Sequence, residues 1–102
     1  MVPLIEQHHD QLVALCRKYD VHRLDLFGSA LRDDFDASNS DLDFVVQFSN
    51  FTILNAADRY LGLMIDLEDL FGRKVDLVSY RAIKNPYFKQ VVDRTRVNLY
   101  AA

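Results

Sequence analysis

Cysteine, proline and glycine are all scarce in this chain: one, two and three residues respectively in 102. The single Cys16 excludes an intrachain disulfide and a cysteine-cluster metal site. Without disulfides, a cytoplasmic setting is the expectation. The paucity of Gly and Pro, with no repeat, linker or low-complexity tract, predicts a single compact domain over residues 1–102. No uninterrupted apolar run approaches the roughly 20 residues that span a bilayer. The opening stretch from Met1 to Glu6 has neither the basic n-region nor the long apolar core of a signal peptide. A basic surplus is missing too. Twelve Lys and Arg face fifteen Asp and Glu, for a formal net charge of −3. That balance argues against a broad face for duplex nucleic acid or anionic lipid, so neither a membrane nor directly bound nucleic acid is an expected partner.

What is present is globular material. Half the residues are apolar, 26% are charged and 12% are aromatic, so a core can form. Ile5, Leu12, Leu15 and Cys16 recur near helical spacing and predict one helix from about Leu4 to Tyr19. Val21–Phe27 alternates as a strand and stops at Gly28-Ser29. Ser29–Arg32 can start a short helix, and the polar stretch 33–40 reads as a loop. Leu42–Phe48 reads as a second strand buried on both faces. Thr52 to Phe71 is helical, closed by Gly72. Val75–Ser79 is a third strand, and Pro86 opens a last helix to about Asp93. The tail from Val97 to Tyr100 is either a short extended segment or a fraying end. The order α-β-α-β-α-β-α predicts an α/β (α+β) fold, a small mixed three-stranded sheet with helices packed on it. About fourteen residues join the first two strands, too few for a comfortable crossover, so that pair should be antiparallel.

Three features at strand ends carry chemistry. Gly28 and Ser29 follow a strand at the mouth of a short helix. Glycine lets an anion approach the backbone, and free N–H groups at a helix start point at it. The plainer reading is a strand-to-helix turn with Ser29 as N-cap. Asp41 and Asp43, two apart, point to one face about 6.6 Å apart if the strand is extended. Aspartate is poor strand material, and like charges at that spacing repel unless a cation lies between them. Magnesium is such a cation, since it takes hard oxygen ligands and often only one or two carboxylates. Alternatively Asp41 caps the loop and Asp43 faces water. Asp34 and Asp36 share the spacing but lie in a polar loop that cannot fix them on one face. The third feature is Asp76, a carboxylate inside the apolar run Val75 to Val78. Asp25 is its rival, but His22 and Arg23 give Asp25 charge partners on what reads as a solvated face.

Phe27-Gly28-Ser29, eleven residues, Asp41-Leu42-Asp43-Phe44 and then Val75-Asp76-Leu77 resemble the signature of the polymerase-beta-type nucleotidyltransferase superfamily. The stretch Gly28 to Arg32, with Asn39 to Asp43, looks most like the minimal nucleotidyltransferases, the MntA-like antitoxins paired with HEPN-type toxins. The spacer is one residue longer than is usual in that subgroup, and Asp33 stands where many relatives have Gly. The resemblance implies that Asp41, Asp43 and Asp76 hold two Mg2+ ions about 3.5–4 Å apart. It implies that Gly28 and Ser29 hold the β and γ phosphates of ATP, with Arg32 in reach of the triphosphate or else pairing with the acidic loop. It further implies transfer of AMP to a tyrosine of a partner HEPN-type RNase toxin, which is thereby silenced. Two other functions compatible with these residues are a binding-only antitoxin on the same fold and a small-molecule or RNA nucleotidyltransferase with a separate substrate-binding subunit. His8, His9, His22, Cys16 and Lys74 read as packing or surface residues.

Overall fold

The computed structural model describes residues 3–28, 41–50 and 53–102. Its elements are α1 (Pro3–Gln7), α2 (His9–Lys18), β1 (Val21–Phe27), β2 (Leu42–Phe48), α3 (Ile53–Phe71), β3 (Val75–Ser79), a 3-10 turn (Tyr80–Ala82), α4 (Pro86–Thr95) and β4 (Val97–Ala101). The expected short helix at Ser29–Arg32 and the loop 33–40 lie outside the described residues.

The sheet runs β3-β2-β1-β4. The β1–β2 pair is antiparallel, as the short connection required. The long helix α3 provides the crossover that lets β3 run parallel to β2. The result is the mixed α+β sheet expected, with one correction: among the described residues four strands stand where three were counted. The tail is neither loose nor optional, because β4 pairs antiparallel with β1. Its five residues carry little local signal, and their hydrogen bonds come from a strand some seventy residues earlier. A second correction concerns the first helix, which is split. His8 leaves helical geometry (φ −112°, ψ 18°), and its Nδ1 lies 2.9 Å from the Leu4 carbonyl, which it meets as donor. The apolar stripe runs on through the break, so periodicity alone reads one helix.

Side chains sort onto the two sheet faces by strand alternation. Leu24, Leu26, Phe44, Val46 and Leu77 pack under α1, α2 and α3, meeting Ile5, Leu12, Leu63 and Leu67 in one buried core. Val21 joins that core although it is three residues from Leu24. The irregular register between Val21 and Arg23 makes this possible, since a bulge shifts the alternation by one. On the other face, Phe27, Val45 and Val92 form a smaller cluster with Val78 and Ile83 beneath α4. Asn85 caps α4, its Oδ1 accepting from the N–H groups of Tyr87 (2.9 Å) and Phe88 (3.2 Å), with Pro86 in the first turn. Asp43 and Asp76 share this second face, outside the cover of α4.

Cys16 is buried, and burial pushes its thiol pKa up to about 12. The thiolate is the reactive form, so the native protein should resist iodoacetamide at pH 8 while the unfolded chain is alkylated readily. Mass spectrometry under native and denaturing conditions checks this. Among the described residues no helix is long and apolar enough to cross a membrane.

Candidate functional site

Three adjacent strands set one row of side chains. Phe27 of β1 pairs with Asp43 of β2, and Asp43 pairs with Asp76 of β3. Neighbouring strands lie about 4.8 Å apart, so the two carboxylates rise side by side from the same face. Asp43 is half-buried and Asp76 exposed. Asp41 stands exposed just ahead of β2, whose start is tied to the foot of β3 by the Leu42 N–H donating to the Lys74 carbonyl (3.2 Å). The two elements of the acidic pattern, thirty-three residues apart in sequence, are thus brought together by the parallel β2–β3 pair.

Gly28 closes the row from the β1 side. Its φ of +74° is a left-handed value that side chains disfavour. A Cβ there would overlap Oδ2 of Asp43 and lie 3.0 Å from its Cγ and 3.2 Å from its Cβ. Glycine therefore serves two ends: it turns the chain out of β1 and leaves room for the Asp43 carboxylate. Gly28→Ala should displace that carboxylate and strain the turn. A 1 Å misplacement can reduce a rate by about 100-fold, and a loss of that order is expected in the reaction this site carries. Stability should fall by about 1–3 kcal/mol. Steady-state kinetics and urea unfolding of the variant check both. Ser29 and Arg32, the other expected phosphate contacts, lie outside the described residues.

Sequence reasoning missed two residues of α3 that flank Asp76. The Tyr60 hydroxyl donates to the Leu77 carbonyl, and the Val75 N–H donates to Glu68 Oε2 (3.1 Å). Burial raises the Tyr60 pKa, and the negative charge of Asp76 adds to the rise. Both residues sit in a helix whose apolar stripe masks them, and neither has a local signature. Leu77 and Val78, which follow Asp76 on β3, line a cleft of about 480 Å³ with Tyr60, Ile83, Lys84 and Phe88. The Phe88 ring meets Phe27 edge-on at 5.9 Å, which links this cleft to the row at Asp43.

Asp25 is not the third carboxylate of a site. It was expected on a solvated face, yet it is fully buried. Arg23 Nε donates to both its oxygens (3.1 and 2.8 Å), Arg96 Nη1 lies 3.3 Å away, and Asn98 Nδ2 donates to Oδ1 (2.8 Å). Arg96 and Asn98 come from β4 and the residue ahead of it, some seventy residues away, so the enclosure of Asp25 was not visible locally. His8 and His9 diverge, His9 Nε2 lying 3.3 Å from the Leu99 carbonyl, and form no chelating pair.

Among the described residues no three His, Cys, Asp or Glu side chains gather closely enough to ligate one ion. Magnesium does not need such a cage. It is commonly held by one or two carboxylates, with water and substrate phosphates completing its shell. The Asp43–Asp76 pair, with Asp41 beside it, supplies hard oxygens of that kind on an open sheet face. The donor set therefore fits a divalent cation that arrives with a phosphorylated substrate.

Residues 10–102 match the family described as polymerase beta, nucleotidyltransferase. A protein of Methanocaldococcus jannaschii named a "putative protein adenylyltransferase" is 37% identical over 76 residues, covering 74% of each chain. A solved structure described as a "putative minimal nucleotidyltransferase" is 31% identical and superposes with a TM-score of 0.66 over 91% of this chain and 90% of that one. The complex of a tri-AMPylated Shewanella oneidensis HEPN toxin with its MNT antitoxin includes a chain of the same fold. That chain is 20% identical, with a TM-score of 0.66 over 95% of this chain and 72% of that one. The order of its strand motifs, their convergence on one sheet face and the match over residues 10–102 all lead to one conclusion: the chain belongs to the polymerase beta nucleotidyltransferase family.

Proposed function

We propose that this chain is the antitoxin of a toxin–antitoxin pair, a single minimal domain acting in the cytoplasm. It transfers AMP from ATP to a tyrosine hydroxyl of a HEPN-type RNase toxin and so silences the toxin. The observation that carries the reading is the Asp43–Asp76 row beneath Gly28. Relatives named as protein adenylyltransferases support the choice of a protein acceptor. The fold shared with the antitoxin of an AMPylated toxin supports the choice of partner.

Asp41, Asp43 and Asp76 would hold Mg2+, two ions in the full site. When bound, the metal neutralises phosphate charge and lowers the pKa of a coordinated hydroxyl. Gly28 and Ser29 would seat the β and γ phosphates, and Arg32 would reach the same group. Asp76, the most exposed of the strand carboxylates, would orient the tyrosine hydroxyl and take its proton. The new bond joins that oxygen to the α-phosphorus. The bond to the departing pyrophosphate breaks in line with it. Positioning and charge neutralisation carry the rate.

ATP labelled at the α-phosphate, magnesium and the co-encoded toxin test the proposal. Label should move to the toxin, and toxicity in cells should fall with it. A toxin neutralised without label would favour a binding-only antitoxin, and label on RNA or a small molecule would favour a different acceptor.

A further inference from the structure

We infer that Tyr60 and Glu68 of α3 form a clamp that sets the position of Asp76 from behind. The inference rests on reading Asp76 as part of the transfer site. Among the described residues β3 is an edge strand, with β2 on one side only. Alternate residues of such a strand turn their N–H and C=O groups away from the sheet, where no strand meets them. Val75 and Leu77 are those residues here, and α3 takes one outward group of each. Glu68 Oε2 accepts from the Val75 N–H at 3.1 Å, and the Tyr60 hydroxyl donates to the Leu77 carbonyl. The two bonds bracket Asp76, one residue to either side. Val75 and Leu77 are 3% and 2% exposed beneath the same helix. Asp76 is thus fixed on three sides: by β2 across the ladder, by the core beneath its neighbours, and by two side-chain bonds along the free edge. Its carboxylate is left on the opposite, open face beside Asp43.

An edge strand held only by one ladder frays readily. A site carboxylate needs placing within about 0.5 Å of its working position. Tyr60 and Glu68 are therefore positioning residues: neither side chain joins the Asp43–Asp76 row, and each acts through the backbone beside Asp76.

Four variants test the clamp: Tyr60→Phe, Glu68→Ala, Glu68→Gln and, as a control, Tyr19→Phe. Tyr19 donates to Asp66 of α3 at 2.6 Å, so the control removes one hydrogen bond from the same helix without touching β3. Three quantities are read: amide hydrogen exchange across 75–79, affinity for Mn2+ as a metal probe, and kcat and KM for ATP. Tyr60→Phe and Glu68→Ala should speed exchange by about fivefold, the worth of one hydrogen bond. They should weaken Mn2+ binding and lower kcat by about tenfold, with KM for ATP changed less than about twofold. Glu68→Gln keeps a carbonyl oxygen for the Val75 N–H and should resemble the wild type, as should Tyr19→Phe in all three readouts. Unchanged exchange and Mn2+ affinity in Tyr60→Phe and Glu68→Ala would overturn the clamp, as would an equal effect of Tyr19→Phe. A wild type that transfers no AMP would instead sink the proposed function, while exchange and Mn2+ affinity would still decide the clamp.

Discussion

Asp43→Asn should abolish nucleotidyl transfer, lowering kcat by at least about 1,000-fold, the upper range for losing one preorganised electrostatic group. The substitution changes charge and little else. Asparagine has the same shape and still fits beneath Gly28, so the turn and the β2 ladder should survive. What disappears is one anionic oxygen from a row whose neighbour is Asp76. A divalent cation held by one or two carboxylates loses much of its binding when one becomes neutral. Stability should change far less. Asparagine keeps the shape of the side chain, so the free energy of unfolding should shift by no more than about 1 kcal/mol. Activity lost with stability kept is the mark of a carboxylate retained for chemistry. Parallel kinetics and thermal melts of Asp43→Asn and the wild type check the pairing.

Asp25→Ala should do the opposite, destabilising the protein by about 3–5 kcal/mol, the range for breaking one side of a buried ion pair. Asp25 is fully buried and accepts from Arg23 and Asn98. Arg96, with a side chain only 16% exposed, pairs with it at 3.3 Å. Without the carboxylate, the Arg96 guanidinium keeps Asp93 at 3.7 Å and stacks on the Tyr80 ring at 4.8 Å, but loses its buried counter-charge. The network also ties β4 and the end of α4 to the centre of β1, so its loss loosens that edge. For a domain near this size, 3–5 kcal/mol corresponds to a fall of roughly 12–40 °C in Tm. Asp25→Asn keeps the shape and part of the hydrogen bonding and should lose less. A melting series of the two variants checks the order. Two aspartates on one sheet face, one strand apart, should thus separate cleanly: Asp25 governs stability and Asp43 governs turnover.

Much of this was legible from local pattern, and the exceptions have physical reasons. β1, β2 and β3 begin and end where alternation and turn residues place them, at Val21–Phe27, Leu42–Phe48 and Val75–Ser79. Strand alternation is a strong signal when each strand buries one or both faces. The antiparallel β1–β2 pair followed from the length of chain between them. The pairing of Asp43 with Asp76 depends instead on the parallel register of β2 and β3, which no local pattern specifies. β4 was left undecided because five residues without a turn signal become a strand only when the free edge of β1 accepts them. The same blind spot hid the enclosure of Asp25, whose partners Arg96 and Asn98 flank or belong to β4. Tyr60 and Glu68 were hidden because a helix side chain reaching a strand edge is fixed by the helix–sheet packing, not by its own neighbours in sequence. The break at His8 was hidden because an apolar stripe reports a face and not the continuity of backbone hydrogen bonds.

Intact-mass spectrometry of the partner toxin after incubation with this protein, ATP and magnesium decides whether AMP is transferred. The toxin should gain mass in whole AMP units, peptide mapping should place them on tyrosine, and Asp43→Asn should leave the mass unchanged. A toxin that binds the wild type tightly yet keeps its original mass would contradict that transfer.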